Sequence, residues 1–215
     1  MPQILKVSSW ESALSETRKV LNAGGIVAYP TDTFYGLGVN PYNRIAVDKI
    51  YKIKGRDPEK PLLLLIDSVS KLENLVEEPS DACIKLMQIY WPGPLTLLFK
   101  PKPSSIHENI TAELIGIRQP GNLTTRKILS ALDHPLTAPS ANISGGKPAT
   151  TAQQVQDIFG EKVGLILDAG ECNGGKPSTI INATDTPARL IRAGAIDFEN
   201  IQECLNGCLQ TQEPL

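Results

Sequence analysis

The run PLLLLI, residues 61–66, constrains the fold more than any other stretch of the chain. Six positions without a polar residue do not suit a half-solvated sheet, in which apolar and polar side chains alternate. They fit a strand buried on both faces, in a sheet covered by helices on each side. The rest of the chain supplies the material for such a fold. IVAYP (26–30), LTLLFK (95–100), IGIR (115–118), VGLILD (163–168), STIIN (178–182) and RLIR (189–192) read as further strands. Helical patterns over 8–22, 44–54, 80–90, 124–132 and 151–159 separate them. In the first, Ser8 and Glu11 have capping-box spacing, Ala13, Leu14, Thr17, Val20 and Leu21 share one face, and Gly24-Gly25 ends the helix. Asn43 and Ser80 suit the caps of the next two, and Thr150 or Thr151 that of the last. The alternation predicts the α/β class: a twisted mixed sheet with flanking helices. It forms one domain over 1–208, followed by a tail at 209–215.

A chain of 215 residues that is 41% hydrophobic fills a substantial core, and a formal net charge of −2 argues against a surface coated in basic charge for nucleic acid. Cations must therefore be judged locally. The start, MPQILKVSSWE, lacks the order of a secretory signal, and no apolar run approaches the roughly 20 residues that span a bilayer, so the expectation is a cytoplasmic protein without membrane contact. Four cysteines without a CxxC pair and two histidines make a structural zinc site a poor reading, and no metal site is expected. The thiols read as inert ones in a reducing compartment, with Cys204 and Cys208 spaced to share a helix face.

Four segments have unusual punctuation. PTDTFYGLG (30–38) follows a buried strand and crowds hydroxyls, a carboxylate and glycines into one loop. That is either a ligand site at a sheet edge or a capped turn. KIKGRDPEKP (52–61) gathers Lys52, Lys54, Arg56 and Lys60 around Gly55, at a helix end. Such cations either hold an anion or complement the helix dipole. APSANISGGKPATT (138–151) offers small hydroxyl and amide groups on a loop flexible enough to approach phosphate, or is a plain surface loop. GECNGGKPSTI (170–180) has the glycine and lysine spacing of a P-loop. However, Pro177 stands where a hydroxyl for Mg²⁺ is required, and a strand follows where a helix is required, so a Walker-type site is rejected. His107 and His134 sit in no nucleophile-like context and read as surface or packing residues.

Taken in order, PTDTFYGLG, KGRDPEKPL, IGIRQP, APSANISG, PSTI and LIRAG closely resemble the threonylcarbamoyl-AMP synthases, over about residues 10–197. These YrdC-like domain enzymes begin the threonylcarbamoyl modification of adenosine 37 in certain tRNAs. The resemblance implies a concave, positively lined cavity and a nucleotidyl transfer that joins L-threonine, bicarbonate and ATP into threonylcarbamoyl-AMP and pyrophosphate. Mg²⁺ would arrive with ATP. By the same resemblance Lys54 and Arg56 are the catalytic pair and phosphate socket, and Lys60, Ser140, Asn142 and Arg192 complete the ATP side. Thr33, Arg118, Ala138 through its backbone and Ser178 form the threonine side, with Arg118 pairing to the carboxylate. Two positions depart from the pattern: Leu65 stands where some members have a histidine near threonine, and Leu114 where some have a threonine near ATP. The chain resembles the short single-domain members. Expected partners include tRNA or double-stranded RNA and a downstream threonylcarbamoyl transferase complex. The rival readings are a basic concave module that binds structured RNA without catalysis, and a paralogue with an altered substrate.

Overall fold

The structure, a computed structural model, describes residues 3–7, 10–103, 106, 110 and 113–206. Ser8 with its capping box, His107, Cys208 and the tail lie outside the described residues.

Local sequence signals set most of the elements. Helix α1 (Trp10–Asn22) buries Ala13, Thr17 and Leu21, one residue per turn, with Leu14 and Val20 half-buried beside them. Helix α2 (Arg44–Lys54) begins where the Asn43 side chain accepts the amide of Ala46. It ends at Gly55, whose φ of 57° lets the chain leave in the left-handed region. Ser80 caps α3 (Asp81–Tyr90), Asn122 caps α4 (Leu123–Ser130), and Thr151 caps α5 (Ala152–Phe159). Helix α6 (Phe198–Asn206) packs along α3.

The mixed α/β architecture is divided into two sheets. In the first, β1 (Gln3–Lys6), β8 (Leu165–Asp168) and β2 (Val27–Tyr29) run parallel, and β3 (Gly36–Gly38) closes antiparallel on β2. The second has the order β10-β9-β5-β6-β4-β7. Its strands are β10 (Arg189–Arg192), β9 (Thr179–Asn182), β5 (Leu95–Phe99), β6 (Ile115–Arg118), β4 (Leu64–Leu65) and β7 (Leu136–Thr137). The period of two sorts side chains between two cores. Val27, Tyr29, Leu165 and Leu167 join α1 and α4 in the smaller core, while Ala28 and Ile166 belong to the larger.

PLLLLI behaves as its composition requires. Leu62, Leu64 and Ile66 enter the larger core and Leu65 the smaller, although only Leu64 and Leu65 count as strand β4. Each buried leucine contributes roughly 1.5–3 kcal/mol relative to exposure. Residues 138–140 then cross from one sheet to the other. Ala138 donates its amide to Leu63 O at 2.8 Å, Leu37 donates to Pro139 O at 2.9 Å, and Gly36 bridges to Ser140.

Candidate active site

A cavity of about 290 Å³ opens at this crossing. Stretches distant in sequence meet on its wall, among them the loop between β2 and β3, the segment 138–140, the residues leading into β9 and the end of β10. Seven of the ten residues singled out from the sequence line it: Thr33, Arg56, Arg118, Ala138, Ser140, Ser178 and Arg192. Lys54, Lys60 and Asn142 are not part of that wall. Leu65 lines it and Leu114 does not.

The three arginines reach the cavity from different elements, and each is held by backbone oxygens. Arg56 donates from Nε to Lys60 O at 2.9 Å and from NH2 to Pro61 O at 3.0 Å, which folds the loop after α2 back on itself. Arg118, 6% exposed, donates from Nε to Gly93 O at 2.9 Å and pairs through NH2 with the Asp32 carboxylate. Burial lowers its pKa, and Asp32 opposes that shift. Arg192 clamps Ser178, donating from Nε and NH2 to its carbonyl at 3.2 and 2.7 Å and from NH2 to its Oγ at 3.0 Å. Its pKa is lowered first by desolvation and then by the charges of Arg118 and Arg56. Three like charges therefore share one field, the arrangement an anionic ligand relieves.

Lys54 stands behind the wall. Its side chain is enclosed, 2% exposed, and its ammonium donates to Ser140 O at 2.5 Å and Asn142 O at 2.6 Å. Its own carbonyl accepts the amide of Ser144 at 2.8 Å. Burial, and secondarily Arg56, lowers the lysine pKa to about 8. Asn142 completes the same loop, donating to Ile143 O and Gly146 O and accepting from Ser140 Oγ at 2.6 Å. Lys60 is exposed and contributes its carbonyl, which also accepts from the Tyr51 hydroxyl at 3.1 Å.

On the opposite side Thr31 organises the PTDT turn. Its hydroxyl donates to Phe34 O at 2.7 Å, accepts from the Thr33 amide at 3.1 Å, and lies 3.2 Å from Thr33 Oγ1. Sequence reading passed over two contributors to this wall, Thr96 and Leu63. Thr96 is the one polar residue within LTLLF, and a hydroxyl inside an otherwise apolar buried strand was the available signal. Leu63 reaches over Gly116, where an added Cβ would run into Leu63 Cδ2.

In the P-loop-like segment, strand β9 stands where a Walker site requires a helix, and Lys176 lies exposed near Asp197 at 3.6 Å. Cys83 and Cys172 are free and buried, and burial raises both thiol pKa values, Cys172 to about 11. His134 Nδ1 lies 2.8 Å from Pro135 O. Among the described residues, no helix is long and apolar enough to cross a membrane.

The Sua5/YciO/YrdC family model, described as telomere recombination, matches residues 19–194. A threonylcarbamoyl-AMP synthase of Pyrococcus abyssi is 37% identical over 187 residues, 86% of this chain and 55% of that protein. One from Bacillus subtilis is 34% identical over 199 residues, 92% of this chain and 58% of its own. The chain thus spans little more than half the length of these relatives. The crystal structure of P. abyssi Sua5 complexed with L-threonine superposes with a TM-score of 0.88 at 33% identity, covering 95% of this chain and 61% of that one.

Proposed function

The chain belongs to the Sua5/YciO/YrdC family, and from that premise we infer that it is an L-threonylcarbamoyladenylate synthase, a nucleotidyltransferase that forms threonylcarbamoyl-AMP and pyrophosphate from L-threonine, bicarbonate and Mg²⁺-ATP. The observation that carries this reading is the meeting of Arg56, Arg118 and Arg192 on one cavity lined by the hydroxyls of Thr33, Ser140 and Ser178. The reaction brings together a carboxylate, a carbamate and a triphosphate, and these anions repel one another. Guanidinium groups fixed in advance offset that repulsion without reorganising during the reaction.

In this reading, the amine of threonine and bicarbonate give an N-carboxylate with loss of water. A carbamate oxygen attacks the α-phosphorus, and the bond to pyrophosphate breaks. The carbamate is already a nucleophile, so no strong side-chain base is needed, and alignment of the reactants supplies about 7–11 kcal/mol in favourable cases. Arg118 takes the threonine carboxylate, with Thr33, Ser178 and the backbone of Ala138 around it. Arg56, Arg192 and Ser140 face the nucleotide. Lys54 and Asn142 act through the loop that carries Ser140, and Lys60 approaches the phosphates from the rim.

The product would serve tRNA modification in the cytoplasm, passed to a threonylcarbamoyl transferase. The experiment is pyrophosphate release by the purified protein with Mg²⁺-ATP, omitting threonine or bicarbonate in turn. Release that requires both is expected. Release with neither, or none at all, overturns the reading.

A further inference from the structure

The direction of the Ser178 hydroxyl proton follows from the donors around it. Arg192 NH2 donates to Ser178 Oγ at 3.0 Å, and a guanidinium offers no acceptor. One lone pair of that oxygen is therefore taken. Thr96 Oγ1 lies 2.9 Å from the same atom, a distance that suits either polarity. Burial decides between them. Thr96 has no exposed surface and sits on β5 between β6 and β9. Among the described residues, Ser178 Oγ is the only partner of its hydroxyl. If Ser178 donated, the Thr96 proton, on a residue with no exposed surface even at the cavity wall, would be left without an acceptor among the described residues, which folded proteins avoid.

We propose that Thr96 is a positioning residue that donates to Ser178 Oγ, so that Thr96 and Arg192 together occupy both lone pairs and leave Ser178 able only to donate its own proton to an acceptor atom of the ligand. This corner of the cavity then accepts a ligand oxygen and refuses an ammonium, which has no lone pair to offer. Resting on the functional reading above, the ligand is the amino acid, and the acceptor is one of its carboxylate or hydroxyl oxygens. An amino acid entering with its amine toward Ser178 would meet a donor facing a donor, so the pair also selects the orientation of the substrate.

Thr96→Val keeps the branched shape and removes the hydroxyl, while Thr96→Ser keeps the hydroxyl. The valine variant is expected to raise KM for L-threonine about tenfold, the size of one hydrogen bond, with KM for ATP unchanged. The serine variant should restore the wild-type value, and in a Ser178→Ala background Thr96→Val should add nothing further. Equal increases in both KM values, or loss of thermal stability alone, overturn the proposal. A second arm does not depend on activity. Proton NMR of the ligand-free protein should show a slowly exchanging hydroxyl proton on Thr96 with a cross-peak to the Ser178 β-protons. Its absence, or assignment of the protected proton to Ser178, reverses the polarity and overturns the proposal. If wild-type pyrophosphate release proves independent of threonine, the functional reading fails, and the NMR result still decides the polarity.

Discussion

Lys54 and Asn142, 88 positions apart in sequence, are joined by a 2.6 Å hydrogen bond from the lysine ammonium to the asparagine main-chain oxygen. With the parallel bond to Ser140 O, this fixes the loop that carries Ser140 to the cavity. Because burial lowers the Lys54 pKa to about 8, the unfolded chain binds more protons between that pH and the ordinary lysine range. The contribution of Lys54 to stability is therefore fully present above the ordinary lysine pKa and is lost as pH falls through about 8. A neutral amine keeps two N–H donors, enough for both carbonyls. Wild type should gain stability relative to Lys54→Met as pH rises from 8 to 10, read from urea unfolding of both proteins across that range. A constant difference contradicts the burial.

Asp32 is the counter-ion of a buried cation. Arg118 is 6% exposed, and its side-chain hydrogen bonds go to Gly93 O and the Asp32 carboxylate. Asp32→Asn leaves the guanidinium without a compensating charge, and the cost should be about 3 kcal/mol, the lower end for broken buried pairs, since the Asp32 side chain keeps 18% exposure. The urea midpoint should fall with an unchanged slope. A loss typical of exposed pairs, below about 1 kcal/mol, means that solvent already compensates Arg118.

Strands β6 and β10 were legible from sequence because Ile115 and Ile117 run up to the Pro120-Gly121 turn and Leu190 and Ile191 stand between Pro187 and Gly194. Strand β3 was not, because GLG carries the residues most depleted in strands. Packing explains the choice. The ring of Tyr29 lies across β3, where an added Cβ at Gly38 would sit 2.7 Å from Tyr29 Cε1 and one at Gly36 3.2 Å from Cζ. The two-residue strand β7 was hidden for a related reason, since its partner β4 is distant in sequence and nothing local marks it. In the site, charged and hydroxyl residues in glycine-punctuated loops were visible, whereas Thr96 inside a strand was not. Whether a lysine faces the cavity or braces the loop behind it depends on long-range contacts, and neighbouring residues do not reveal it.

Gly194 is required by close approach. An added Cβ would collide with the main chain of Pro177, Ser178 and Thr179. The segment is further pinned by Ala195 N to Pro177 O at 2.8 Å and Ile196 N to Thr179 Oγ1 at 2.9 Å. Overpacking costs about 1–3 kcal/mol, and Gly194→Ala should reach the upper end because backbone yields less than a side-chain tip. Since the displaced segment includes Ser178, just before β9, threonine affinity should fall together with melting temperature. Wild-type values for both would show that the segment moves aside freely.

Arg56 separates charge from geometry. Its guanidinium reaches two carbonyls of its own loop and lines the cavity beside Arg192. Arg56→Lys keeps the cation and loses the planar fork that pairs with phosphate oxygens, while Arg56→Ala loses both. A charge-assisted hydrogen bond contributes about 1.5–3 kcal/mol, so the alanine variant should lose roughly ten- to a hundredfold in pyrophosphate release and the lysine variant less. Both should unfold within about 0.5 kcal/mol of wild type, because the two loop carbonyls lie near solvent and water can replace the guanidinium. Equal losses in the two variants would assign the effect to the fork, and full activity in Arg56→Ala would remove Arg56 from the phosphate side altogether.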